Sequence, residues 1–175
     1  MLGMKLVRLI EAHSEALSQG VVDVIRASER TSDFRAIPRE NLQRRVGEVY
    51  RNLGEWLLQK TEPDIASRFK AIAARRAAEG IRLPQLIWAL MLTRDHLLHF
   101  LRHEAFADNV VALYGELELH QLLDQFFDRA VYHSILGYEE AGSKARHVGD
   151  LKRAESGLSM RSMSAPGEPS PPLGK

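Results

Sequence analysis

Residues 83–101 read LPQLIWALMLTRDHLLHFL, and this stretch decides the fold. Its apolar residues recur at spacings of three and four, which is the period of an α-helix buried along one side. Arg94, Asp95 and two histidines interrupt the stretch, so it indicates a buried helix rather than a membrane span. Strand signals are nearly absent from the rest of the chain, and the sequence therefore predicts an all-helical protein.

Outward from this stretch, the same period predicts about five main helices. The first two cover about 4–29 and 39–59, and the last two cover about 83–105 and 108–141. Thr61 is expected to cap the remaining helix, Pro63 fits its first turn, and Gly80 is expected to end it. The apolar stripe of that helix ends in a charged residue; its members are Ile65, Phe69, Ile72, Ala73 and Arg76.

The composition changes after Gly142. Residues 143–175 are rich in Ser, Gly, Pro and basic residues and offer little to bury. The sequence therefore predicts one helical domain at 1–142 and a disordered tail at 143–175, of which 144–155 can transiently extend the last helix.

Composition and charge exclude several classes of function. Apolar residues make up 45% of the chain and charged residues 27%, as in ordinary globular proteins. The chain has no cysteine, which excludes disulfides and thiolate sites, and its formal net charge of +1 gives no case for a nucleic-acid partner. Lys5, Arg8 and Glu11 interrupt the apolar start, so it does not read as a signal peptide. We expect a cytoplasmic protein without a membrane span.

Standard catalytic signatures are absent from the sequence. It contains no G-x-S-x-G, H-E-x-x-H, P-loop or G-x-G-x-x-G motif. We therefore expect a protein that is not an enzyme and that needs no cofactor.

Arg94 is the most informative charged residue of the helix at 83–105. It falls near the middle of the broad apolar face, where a guanidinium needs either a carboxylate from a neighbouring helix or an anionic ligand. If a small ligand binds between this helix and the helix at 108–141, Arg94 and His120 are the polar groups that we nominate for it.

The opposite side of the same helix is a candidate dimer face. It carries Trp88, Leu92, His96, His99 and His103, with the histidines spaced three and four apart. Two other interpretations remain open. The face can be an ordinary second packing surface, or the three histidines can form part of a His-only metal site.

Three segments resemble a known family. They are RRAAEGIRLPQLIWALMLTRDHLLHFL at 75–101, FFDRAVYHSILGYEEA at 126–141 and the opening LIEAHSEALSQGVVDVIR. Over roughly residues 5–141 the chain resembles the N-terminal sensor domain of stressosome-type RsbR proteins, the RsbT co-antagonist N-terminal domain. The residues that carry the resemblance are Arg76, Gly80, Ile81, Leu83, Leu86, Phe127, Asp128, Gly137 and Tyr138.

The resemblance implies a globin-like helical fold without haem, dimerisation through helical faces and a role in signal input. It supplies no catalytic residues. Because no output domain follows in this sequence, we expect a stand-alone homodimer that signals through a regulatory protein partner, with a small molecule as a further ligand.

Two alternatives come from other classes. The first is a haem-binding globin sensor, for which His96, His99, His103 and His120 are candidate axial ligands. The second is a small helical enzyme or metal-binding protein. DNA binding is disfavoured by the near-neutral net charge.

Overall fold

The computed structural model describes residues 2–104 and 110–162, and all of these that lie in regular structure are helical. The predicted all-helical fold is confirmed. Contacts divide the chain into two units, residues 1–140 and 141–175. Within the described residues, no helix is both long and apolar enough to cross a membrane.

The first predicted helix is two helices in the structure, α1 (Leu2–Ala12) and α2 (Ser14–Ala27). His13 stands between them with φ −99° and ψ 12°, outside helical values. The backbone bonds on either side persist, since the His13 N–H donates to the Leu9 carbonyl at 3.1 Å and the Leu17 N–H to the His13 carbonyl at 2.9 Å. The helical run is therefore bent at His13 rather than ended there.

A 3₁₀ helix, Glu29–Ala36, follows between the helices that the sequence predicted at about 4–29 and 39–59. Its first turn begins at Ser28, whose hydroxyl accepts from the Arg30 N–H at 3.2 Å. The Asp33 carboxylate binds both the backbone N–H and the guanidinium of Arg82, and the Gln85 side-chain oxygen accepts from the Asp33 N–H at 2.7 Å. These bonds connect the 3₁₀ helix to the start of the long helix that begins at Leu83.

The next helices are α3 (Arg39–Arg51), α4 (Leu53–Leu58) and α5 (Glu62–Ala78). The predicted helix at 39–59 is thus interrupted at Asn52. The predicted start of α5 is confirmed: Asp64 accepts from the N–H and the hydroxyl of Thr61, at 2.9 and 2.7 Å. Gly80 has a φ of +79°, the left-handed conformation that ends α5, as predicted.

Helix α6 (Leu83–Glu104) and helix α7 (Val110–Ser162) complete the chain. The predicted ends at 105 and 108 lie outside the described residues. Helix α7 runs past the predicted end at 141 to Ser162, through the stretch 144–155 for which the sequence predicted a transient extension of the last helix. Residues 142–149 are exposed on this extension, as their polar composition requires. Residues 163–175 lie outside the described part, and the domain boundary at 142 stays a prediction.

One apolar core joins the helices of residues 1–140. It includes fully buried side chains from every long helix of this unit, among them Ile10, Val21, Tyr50, Ile65, Leu97, Leu101, Leu119 and Leu123. At Gly137, α7 crosses α5 so closely that an added Cβ would lie 2.5 Å from the Cα of Lys70. The absence of a side chain at Gly137 therefore permits backbone-to-backbone packing of the two helices.

Candidate functional site

Arg94 and His120, the two residues nominated for a ligand, do not line the same cleft. The Arg94 side chain is 30% exposed, and its Nε is 3.4 Å from the Asp95 carboxylate. It borders a cleft between α6 and α7 that Phe127 and Asp128 also line. His120 does not line that cleft, although its Nε2 is buried without a hydrogen-bond partner among the described residues. A joint ligand role for Arg94 and His120 stays a prediction.

The candidate dimer face divides into a part that packs within the chain and a part that is exposed. The Trp88 ring lies under the Arg30 guanidinium, 4.5 Å from the ring centroid, and Leu92 packs against the core. His96 is half-buried, with its imidazole where a Cβ on Gly20 would stand. The exposed part is the pair His99 and His103, whose ring centroids are 4.3 Å apart.

Burial also affects the ionisation of this histidine cluster. It lowers the pKa of His96 below its ordinary value of 6.5, and the nearby charge of His99 lowers that pKa further. Among the described residues no three His, Cys, Asp or Glu side chains are grouped so as to hold a metal ion.

A different site emerges at the centre of the first unit. A cavity of about 130 Å³ lies between α2, the 3₁₀ helix, α3, α5, α6 and α7. Its wall is mainly apolar and aromatic, with Phe34, Leu42, Phe69, Leu86, Phe126 and Phe127 among the lining residues. The described residues that line this cavity include no histidine.

Four arginines line the same cavity, and they come from only two helices. Arg45 belongs to α3, and Arg68, Arg75 and Arg76 belong to α5. Arg76 is almost fully buried, with 6% of its side chain exposed, whereas the side chains of Arg45 and Arg68 are 26% and 32% exposed. The four arginines thus border the cavity on its α3–α5 side, and they line it mainly through the apolar stems of their side chains.

Ion pairs link α3 and α5 across this side. Glu79, just past the end of α5, accepts from Arg76 at 2.5 Å and from Arg45 at 3.3 Å. Glu48 on α3 is 3.7 Å from Arg68, which also stacks over the Trp56 ring at 5.1 Å. Arg68 still has a buried Nε without a hydrogen-bond partner among the described residues.

The electrostatics follow from this crowding of like charges. Burial lowers the pKa of the Arg76 guanidinium, and the neighbouring Arg45 and Arg75 lower it further against the opposing effect of Glu79. Burial alone would raise the pKa of Glu79, but Arg76 and Arg45 hold it below its ordinary value. Among the described residues, the four arginines outnumber the two carboxylates, Glu48 and Glu79, that form ion pairs with them.

The sequence pointed to only one of these four arginines. Arg76 stands on the predicted apolar stripe of α5, which is the signal of a charge turned toward the interior. Arg45, Arg68 and Arg75 give no such signal, because each lies at the edge of its helix stripe. They meet at the cavity only because α3 and α5 face one another, which helix period alone does not reveal.

The cavity and its arginines belong to a segment that matches a known family. Residues 15–151 match the family described as "RsbT co-antagonist protein rsbRD N-terminal domain". No curated protein and no solved structure matches the chain. The matched range covers α2 from its second residue and α3 to α6 whole, and with them all the described residues that line the cavity.

Proposed function

Because the chain belongs to the RsbT co-antagonist protein rsbRD N-terminal domain family, we propose that it is a regulatory module that signals through a protein partner. The members of this family are stressosome-type regulatory sensor domains. The proposed module is non-catalytic and cytoplasmic, and it acts as a homodimer. The family match over 15–151 is the observation that carries this proposal. Globin-like packing of the helices, which the resemblance implies, is part of the same proposal.

The outer side of α6 is the surface that we propose for self-association. His99 and His103 are exposed there, and Trp88 and Leu92 are half-buried beside them on the same helix. Aromatic and apolar groups that are partly covered by their own chain gain most when a partner completes their burial.

Light scattering tests the dimer directly. The expected mass is twice the chain mass of 19.8 kDa. In the double variant His99→Glu, His103→Glu, the contact would place like charges against their symmetry mates, so we expect at least about a tenfold weaker dimer. His147→Glu is the matched control, since His147 is exposed on α7. A monomeric wild-type protein, or a dimer that the double variant leaves intact, would contradict this interface.

A further inference from the structure

The wall of the central cavity is almost wholly apolar. Phenylalanine rings line it, and aliphatic side chains from α2, α3, α5 and α6 supply most of the rest. A water molecule needs several polar partners to settle in a protein interior, whereas apolar cavities accept apolar guests such as benzene or xenon. The wall therefore favours an apolar molecule over water.

The hydroxyl groups that border this wall are already engaged with the protein. The Tyr50 hydroxyl donates to the Thr93 carbonyl at 3.4 Å, and the Thr93 hydroxyl donates to the Ala89 carbonyl at 2.7 Å. Because a hydroxyl carries a single proton, neither group can donate to a ligand while these bonds hold. A polar ligand group would therefore lack a matching donor here.

The arginines at the edge of the cavity do not make it a site for an anion. They line it mainly through their apolar stems. The guanidinium groups of Arg45 and Arg76 pair with Glu79, and that of Arg68 pairs with Glu48. The unpartnered Nε of Arg68 is enclosed by protein atoms, so it offers no donor to a ligand. Burying a charge without a partner is costly, and the cavity therefore selects for neutral molecules.

The volume limits the size of the molecule. At about 130 Å³ the cavity is slightly smaller than the cavities of roughly 150 Å³, lined by Leu, Ile and Phe, that bind benzene. A single aromatic ring therefore fits, whereas two fused rings do not. Phe126 contacts Phe69 and Phe127 edge to face, with ring centroids 5.7 and 5.4 Å apart, which is a contact that aromatic rings prefer. The wall is thus suited to a further ring.

The cavity approaches the surface between α3 and α5. The lining residues on this side include half-buried apolar side chains, namely Val46, Val49 and Ile72. Arg45 and Arg68 border the same side with partly exposed side chains, and side chains that reach the solvent change rotamer within nanoseconds. A small molecule can therefore enter without separation of the two helices.

We propose that this cavity binds a small neutral aromatic molecule of one ring, held by burial of apolar surface and by dispersion rather than by ion pairs. This inference rests on the proposed function, within which such a molecule is the chemical input of the regulatory module. Leu86, Ala89 and Leu90 bring the inner side of α6 to the cavity, and the outer side of α6 carries the proposed dimer surface. A bound ring therefore adds contacts to the helix through which the module associates.

Calorimetric titration of the full chain with benzene tests the proposal. Benzoate and benzylammonium carry the same ring with a negative or a positive charge, and naphthalene carries a second ring. We expect benzene to bind, and the charged probes and naphthalene to bind at least about tenfold more weakly. Equal binding of a charged probe, equal binding of naphthalene, or no binding of benzene up to its solubility in water would overturn the proposal.

Two variants that fill the cavity locate the site. Ala89→Leu adds an isopropyl group to the wall from α6, and we expect it to weaken benzene binding at least about tenfold. Val49→Phe adds a ring at a half-buried lining position on α3 and should have the same effect, so it replaces Ala89→Leu if that variant does not fold. Ala71→Leu is the matched control, because Ala71 is exposed on α5 and does not line the cavity; it should bind benzene as the wild type does. Unchanged benzene affinity in a folded cavity-filling variant would place the site elsewhere and overturn the proposal.

The ligand and the interface can fail separately. A protein that is dimeric but does not bind benzene contradicts the ligand and leaves the proposed interaction module standing. A monomer that binds benzene, and loses that binding in the cavity-filling variants, contradicts the interface and supports the ligand.

Discussion

Gly137→Ala tests the close crossing of α5 and α7. The new Cβ would lie 2.5 Å from the Cα and 2.6 Å from the carbonyl oxygen of Lys70, both backbone atoms that cannot rotate away. Since carbon atoms pack comfortably at about 3.5–4.0 Å, the helices must separate by about 1 Å. A gap of about 1 Å reduces the dispersion energy of each contact across it by about a quarter to a half.

The magnitude follows from two opposing effects. Replacing a helical glycine by alanine contributes about 0.5–1 kcal/mol of stability on its own. Overpacking of a closed contact costs about 1–3 kcal/mol, and here the obstacle is rigid backbone, so we expect the cost to prevail. A net loss of about 1–2 kcal/mol lowers the melting temperature by about 2–8 °C in a domain of this size.

Thermal and urea unfolding followed by circular dichroism measure this loss. Gly47→Ala is the matched control, because Gly47 is also a buried helical glycine but its Cβ would meet its nearest neighbours at 3.5 Å, an ordinary contact. We expect that control to be as stable as the wild type or slightly more so. If Gly137→Ala melts at or above the wild-type temperature, α5 and α7 do not cross as closely as described.

Two further changes test the core and the histidine cluster. The pKa of His96 is lowered in the folded chain, so the unfolded chain binds the proton more readily and the free energy of unfolding falls as the pH drops below about 6.5. In His96→Gln we expect the free energy of unfolding to depend less steeply on pH between about pH 7.5 and 5. Equal slopes in the variant and the wild type would refute this. Leu97→Ala removes a side chain that is fully buried and should cost about 2–5 kcal/mol in urea unfolding. Leu117→Ala, at a side chain that is 50% exposed, should change stability by less than about 0.5 kcal/mol, and a similar loss in both variants would contradict the assigned core.

Local signals in the sequence predicted the helix ends that depend on one or two residues. Thr61 caps α5 and Gly80 ends it, because capping and left-handed turns require particular side chains at particular places. The bend at His13 and the interruption at Asn52 escaped prediction, since neither residue carries a breaking signal and tertiary packing decides the path there. The extension of the last helix at 144–155 was anticipated, but the polar composition gave no signal for its end at Ser162.

The candidate site could be predicted far less well than the helices. Arg94 drew attention because it stands among apolar residues of one helix, yet four other arginines border the cavity on its α3–α5 side. Periodicity reports which face of a helix is apolar, but it does not report which helix that face meets. Arg45 and Arg68 become neighbours only through the placement of α3 opposite α5, a long-range property for which a single sequence offers no direct signal.

The corner between α5 and α6 also limits how that part of the chain can be redesigned. Nothing lies within 4 Å of the position that a Cβ on Gly80 would take, so crowding does not exclude a larger residue there. The restriction is one of chirality: at a φ of +79° an L-residue is strained by about 1–2 kcal/mol, whereas its D-enantiomer is at ease. A semisynthetic chain with D-alanine at this corner would keep the turn and lose the freedom that glycine gives to the unfolded state.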